Sequence, residues 1–270
     1  MKRNSVQNLI KNNDLIFTNQ EHFSYIIKGN DIANIKNIIL NENLEANLLF
    51  VDCVNFGVKV IQKTGSVLNA KVLNKNEIGN SELSFDLMEN ATLSLSYADF
   101  SNGKGINKVD VNLIGDNSRC DWILSSISRN DDNKEFKVLI DHIGLSTRAT
   151  ANNYGVAKDH SRLVFSGASH IEKGSKKSKT KQDARIMVFS KEADAVAKPI
   201  LKIDENDIEA GHSAVLGQVN EEHLFYLKSR GISEKEAKTL IVMGYIKPIL
   251  KKFEDEEIKE EIEKLILERV

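Results

Sequence analysis

A chain of 270 residues with a net charge of −2, 41% hydrophobic and 28% charged residues can bury a large core. Its near-neutral balance supplies no global field toward nucleic acid or an anionic membrane surface, and no run approaches the ~20 apolar residues needed to span a bilayer. Two cysteines, Cys53 and Cys120, cannot make a disulfide framework, and the first residues lack a signal-peptide core, so a reducing, cytoplasmic setting is expected.

Three regions follow in chain order. Residues 1–30 form a short N-terminal segment in which Leu9-Ile10 and Leu15-Ile-Phe17 are apolar islands, either a turn of helix or an edge strand. Residues 31–219 read as strands. Leu93-Ser-Leu-Ser-Tyr97, Val109-Asp-Val-Asn-Leu113 and Phe136-Lys-Val-Leu-Ile140 alternate apolar with polar, the period of a strand with one buried face. Ile38–Leu40, Leu48–Val51, Val58–Ile61, Trp122–Leu124, Leu163–Phe165 and Ile186–Phe189 are further short apolar runs. Turn chemistry separates them at Asn102-Gly103, at Gly115–Ser118 and at Asn130–Asn133. Many short strands without helices between them fit a sandwich, a barrel or a β-solenoid. Only 2 Pro, 1 Trp and 6% aromatic residues favour small stacked layers, and hence a parallel β-helix. The basic run Glu172–Lys181 has no interleaved aromatics, which favours a solvated turn over a nucleic-acid contact.

Residues 220–270 are helical. Asn220 is an N-cap with Glu221 and Glu222 in the first turn, Gly231 closes that helix, and Ser233-Glu-Lys-Glu236 is a capping box. Ala237, Leu240, Ile241, Gly244 and Tyr245 fall on one helical face, Pro248 ends it, and Ile258, Ile262, Leu265 and Ile266 form the stripe of a last helix. This region is a cap on the end of the β-domain, a partner-docking surface, or both.

The sequence has no phosphate-binding glycine loop, no Cys-x-x-Cys or His-x-x-x-His metal spacing and no Gly-x-Ser-x-Gly elbow. Of six histidines, His22, His142, His160, His170 and His223 read as structural or surface residues. His212 stands where strands give way to helices, between Gly211 and Ser213, and imidazole is a ligand for iron. Cys53 and Cys120 lie in apolar runs and read as buried thiols.

The segment Ala210-Gly-His-Ser-Ala214, then Gly217, then Leu224-Phe-Tyr-Leu-Lys-Ser-Arg-Gly-Ile232, resembles the signature of the SufB/SufD proteins of iron–sulfur cluster assembly. His142–Thr147, Lys158–Gly167 and Gln182–Ser190 also resemble family core segments. The resemblance implies a right-handed parallel β-helix followed by a C-terminal α-helical subdomain. It implies a scaffold rather than an enzyme, with no stably bound cofactor and a transient iron or iron–sulfur cluster. It implies a SufB-like subunit and a SufC-like ATPase as partners, or a homodimer in isolation, and neither nucleic acid nor membrane. His212 matches the histidine at the cluster-forming interface, and Phe225, Tyr226, Arg230 and Gly231 fall in the ATPase-docking region. The D-type is favoured because Lys181–Val188 lacks the acceptor cysteine of SufB and Ser213 replaces its glutamate; Ala210 stands where some SufD proteins carry cysteine. The alternatives are a SufB-like homodimeric scaffold and a β-helix carbohydrate-active enzyme.

Overall fold

The computed structural model describes residues 4–5, 10–18 and 23–270, so His22 and Leu9 lie outside the described residues. The early strands are β1 (Asn4–Ser5), β2 (Ile10–Lys11), β3 (Asp14–Phe17), β4 (Phe23–Lys28), β5 (Asn37–Leu40), β6 (Glu45–Val51), β7 (Phe56–Gln62), β8 (Val67–Asn74), β9 (Ser81–Leu87) and β10 (Thr92–Asp99), with one helical turn, α1, at Gly29–Ile32. Eight ten-residue strands follow: β11 (Lys104–Leu113), β12 (Arg119–Ser128), β13 (Asn133–His142), β14 (Arg148–Ala157), β15 (Arg162–Ile171), β16 (Lys179–Val188), β17 (Asp194–Ile203) and β18 (Glu209–Gln218).

From β4 onward the strands alternate between two sheets. Sheet A runs β1-β4-β6-β8-β10-β12-β14-β16-β18, and sheet B runs β17-β15-β13-β11-β9-β7-β5-β3-β2. Every pairing is parallel except β2 with β3. The chain thus winds as a two-sided parallel β-helix. Its turns lengthen along the axis: Glu45 pairs with Val67, 22 residues on, and Arg162 pairs with Asp194, 32 residues on. The solenoid begins inside the N-terminal segment, because Leu15 and Phe17 of β3 lie in its core and β4 pairs with β6.

The corners explain why asparagine is so common. Two residues before each sheet-A strand from β6 to β16 the backbone is left-handed, at Asn43, Gly65, Asn90, Asn117, Ser146 and Lys177. Asn and Gly tolerate this conformation best. It aims the N–H along the solenoid axis at the next corner: Asn43 donates to the Thr64 carbonyl, Gly65 to Glu89, Asn90 to Asp116, Asn117 to Leu145, Ser146 to Lys176 and Lys177 to Asp207. Corners also stack closely, since a Cβ on Gly115 would lie 1.9 Å from the Glu89 nitrogen. The run Glu172–Lys181 is one of these corners followed by the start of β16.

Between the sheets runs a continuous apolar core that includes Phe50, Phe85, Trp122, Phe136 and Phe165. A second core lies on the outer face of sheet A. There Leu49, Leu73, Phe100, Ile123, Ile127 and Val156 are covered by the C-terminal helices. These are α2 (Glu221–Ser229), α3 (Glu234–Ile246), a 3-10 turn (Lys247–Lys252) and α4 (Glu256–Arg269). The helical region therefore does not cap the end of the β-helix; it folds back along its flank, because sheet A presents apolar residues outward there. At 1.5 Å per residue α4 is ~21 Å long, enough to cross about four strands. Lys75 pairs with Glu261 near its middle, and Arg129 donates to the Glu268 carbonyl at its C-terminal end.

The helix caps are as expected: Asn220 accepts from the Glu222 and His223 amides, and Ser233 forms a capping box with Glu236. The buried face of α3 differs from the expected stripe. It is formed by Ala237, Val242 and Ile246, while Leu240 is exposed, because packing on sheet A selects a face rotated from the sequence stripe.

One corner holds a fully buried ion pair. Lys134 Nζ donates to Asp99 at 2.7 Å and to the carbonyls of Ser101 and Ile127 at 2.6 and 2.9 Å. Ser101 and Ser126 donate to the same carboxylate. Burial lowers the lysine pKa and the Asp99 charge opposes that shift. Removing one partner strands the other charge, so Lys134→Ala is expected to cost ~3–5 kcal/mol in urea unfolding, and Asp99→Asn/Lys134→Met to recover most of it. A loss below about 1 kcal/mol in the single variant would contradict this assignment.

Candidate functional site

His212 lies near the middle of β18, the last strand of sheet A. It pairs in register with Gln182. The column through them reads Leu48, Ala70, Leu95, Trp122, Ala151, Gln182, His212. It is buried up to Gln182, so His212 continues an inward-facing column and is exposed only because no further turn covers it. The interior also changes character here. Gln182 Nε2 donates to Ser169 at 2.6 Å and to the Ile200 carbonyl at 3.2 Å, and Thr180 donates to Ser169. The apolar core thus gives way to a polar lining one rung before His212. No hydrogen bond or ion pair engages the His212 ring among the described residues.

The two strands that end the solenoid differ. β17, the open edge of sheet B, carries Lys198, Pro199 and Lys202. A proline and lysines on an edge strand discourage further pairing. β18 has neither residue type, Glu209 is its one charged residue, and Val215 and Leu216 are about half exposed. Its backbone is bonded to β16 on one side alone. Beside it lies a groove lined by Arg148, Lys179, Lys181, Asp183 and Arg185, in which Lys179 is paired with Glu209 and Ser213 donates to Asp183. The end of sheet A is therefore an open template for a strand from another chain, with an imidazole on it.

No cluster of three or more His, Cys, Asp or Glu that could hold a metal exists among the described residues. His212 by itself supplies one nitrogen. One nitrogen does not complete the coordination of a metal or a cluster.

The helical surface carries the other candidate residues. α2 buries no residue at all. Phe225 and Tyr226 are 74% and 57% exposed, and the Arg230 guanidinium stacks 5.2 Å above the Tyr226 ring. Gly231, at φ +84°, takes the left-handed position that ends α2. A cleft lined by Ile232, Lys235 and Leu240 adjoins it. Exposed aromatic residues on a helix with no buried face form a candidate contact surface. Leu240 belongs to this surface. The sequence hid it, because its spacing fitted a core stripe.

Among the other described histidines, two have local side-chain partners. His142 is buried, its Nδ1 lies 2.8 Å from the Thr147 hydroxyl, and burial pushes its pKa down to about 4. His170 bridges Asp141 at 3.3 Å and Asp204 at 2.8 Å on the outer face of sheet B. His160 and His223 are exposed.

Residues 38–245 match the family described as SUF system FeS cluster assembly, SufBD core domain. The chain belongs to this family. The iron–sulfur cluster assembly protein SufD of Bacillus subtilis (strain 168) is 33% identical over 170 residues, which cover 63% of this chain and 39% of that protein. A SufBD family protein of Staphylococcus saprophyticus is 33% identical over 110 residues, 41% of this chain and 24% of that protein. One from Staphylococcus haemolyticus is 31% identical over an equal length. The chain thus spans well under half the length of these curated relatives. No helix among the described residues is long and apolar enough to cross a membrane.

Both thiols of this SufBD chain are buried. Burial pushes Cys53 up to about 12 and raises Cys120 as well, and the Cys53 sulfur faces the Ile27 and Val51 carbonyls. A thiol is nucleophilic as the thiolate, so both should be inert in the folded state. With an aromatic disulfide reagent at pH 8, the native protein is expected to release no chromophore and the urea-unfolded protein to react at both cysteines. Fast reaction of either thiol in the native state would contradict the burial.

Proposed function

We propose that this chain is a SufD-like, non-catalytic scaffold subunit of a cytoplasmic SUF assembly. It pairs with a SufB-like subunit through β18 at the open end of sheet A, and it docks a SufC-like ATPase through the exposed face of α2 and α3. Iron and sulfide, as cargo, assemble beside His212 with ligands completed by the partner. The observation that carries this reading is the uncovered last rung, a pairing-competent strand edge with an inward-facing imidazole and a polar lining beneath it. The absence of a phosphate-binding loop from the sequence accords with energy supplied by the ATPase. The similarity to Bacillus subtilis SufD, the lack of cysteine in β16 and the serine after His212 support the D-type.

The C-terminal helices cover the apolar outer face of sheet A, so removing residues 220–270 whole would unsettle the fold. Point variants separate the two surfaces. On co-expression with the SufB-like and SufC-like subunits, the wild type is expected to form a complex that holds iron and sulfide anaerobically. His212→Ala should keep the complex and lose the iron. Phe225→Asp/Leu240→Asp should keep the SufB-like subunit and weaken ATPase binding about tenfold or more. No complex with the wild type, or cleavage of polysaccharide by the purified chain, would overturn the scaffold reading in favour of a carbohydrate-active enzyme. A stable homodimer that binds the ATPase without a SufB-like subunit would favour a SufB-like homodimeric scaffold.

A further inference from the structure

We propose that the uncovered half of the outer face of sheet A binds an extended, acidic peptide segment of a protein partner. The surface is the face of the sheet rather than the edge of β18, and its role does not depend on the scaffold reading. On β12 the C-terminal helices cover this face from Ile123 onward. The outward residues before that point are exposed or half-exposed: Arg119 and Asp121 on β12, Arg148 and Thr150 on β14, and Lys179 and Lys181 on β16. Four of these six are cations and one is a carboxylate, a net charge of +3. The adjoining corner adds Lys176 and Lys177, both exposed.

Arg119, Arg148 and Lys179 stand in register on three consecutive strands of sheet A, ~4.8 Å from one to the next. The basic run Glu172–Lys181 is therefore one row of a wider array, and the other rows lie far upstream in the chain. Like charges side by side on neighbouring strands repel. Lys179 finds Glu209 on the next strand, but the side chains of Arg119, Arg148 and Lys181 make no ion pair or hydrogen bond with another described residue. Asp121 accepts from the Thr150 hydroxyl at 2.6 Å. Arg148, Lys179 and Lys181, with Arg185, line the groove beside β18, a space of ≈ 610 Å³. An anionic partner laid there would relieve the repulsion and satisfy the free donors together.

Two features select a peptide over a nucleic acid. No aromatic residue lines the groove, so bases would have nothing to stack on. Along β16 the outward charges run Lys179, Lys181, Asp183, Arg185, and Asp183 interrupts the row of cations. A continuous phosphate backbone would bring a negative charge against that carboxylate. A peptide can set a neutral or basic residue opposite it and acids opposite the rest. The four positions alternate along the strand, ~6.6 Å apart, which is the spacing of alternate side chains in an extended peptide laid alongside.

The test is fluorescence anisotropy of a labelled peptide of alternating Glu and Ser, as long as β16 (10 residues), titrated with the full chain. The wild type should bind it saturably and more weakly as salt rises, and should not bind the same peptide with Gln in place of Glu. Arg148→Glu/Lys181→Glu should bind about tenfold more weakly or worse, and Arg148→Lys/Lys181→Arg should retain binding. Retention in the charge-conserving variant separates lost charge from a disturbed fold. Lys104→Glu/Lys108→Glu, an equal change of charge at exposed positions of β11 in sheet B, should match the wild type. Only the isolated chain is used, so the result stands apart from complex formation with SufB-like and SufC-like subunits. The proposal is overturned if the wild type does not bind the Glu peptide, or if the sheet-B variant loses as much binding as the sheet-A variant, which is the effect of net charge alone. It is also overturned if a single-stranded oligonucleotide of equal charge binds more tightly than the peptide and is lost in Arg148→Glu/Lys181→Glu.

Discussion

The structure depends on main-chain hydrogen bonds that run along the axis of the solenoid. At each sheet-A corner a residue in the left-handed conformation hands its N–H to the corner above, from Asn43 to the Lys177–Asp207 contact. These bonds join the strand ladders in satisfying the backbone, so a chain with few large aromatic residues can still build a long, regular body. The geometry is also directional. Asp207, at the last corner, turns its own amide to the Glu205 side chain, because no further corner exists to receive it. The same mechanism that builds each turn therefore leaves an unfilled end, and His212 sits on it.

Such an end is a hazard unless something covers it. The two sheets handle it differently. β17 carries proline and lysine, the usual deterrents to pairing, whereas β18 is small, nearly uncharged and half-apolar. The flank of sheet A, by contrast, is sealed by its own helices, with Ile246, Phe253, Ile262 and Ile266 packed over Phe100 and Ile127. The molecule thus covers one apolar surface internally and leaves the edge of β18 without deterrents to pairing, with Phe225, Tyr226 and Leu240 exposed.

How much of this could be read beforehand depended on whether the signal was local. Val109–Leu113 and Phe136–Ile140 announced themselves by alternation, and Asn220 and Ser233 by cap chemistry, because those rules act within a few residues. β14, Arg-Ala-Thr-Ala-Asn-Asn-Tyr-Gly-Val-Ala, did not, since alanines and a glycine can face a core that larger residues on neighbouring rungs already fill. The ends of β17 and β18 were hidden for the opposite reason: an uncovered rung needs no apolar alternation. The direction of the helices over sheet A, and the exposure of Leu240, rest on contacts between segments far apart in the chain, such as that of Tyr154 with Tyr245. His212 was legible through its family signature, while the Gln182–Ser169 lining beneath it arises from register between turns and leaves no local mark.

The central claim is that β18 is a pairing edge kept open for another chain. Hydrogen exchange of the β18 amides tests it most directly. In the isolated chain, the amides of Glu209–Gln218 that face away from β16 should exchange quickly while those bonded to β16 are slow. Adding the SufB-like subunit should protect the fast set and leave the outer face of sheet B unchanged. Protection that falls elsewhere on the solenoid, with the free edge of β18 exchanging as before, would contradict the account.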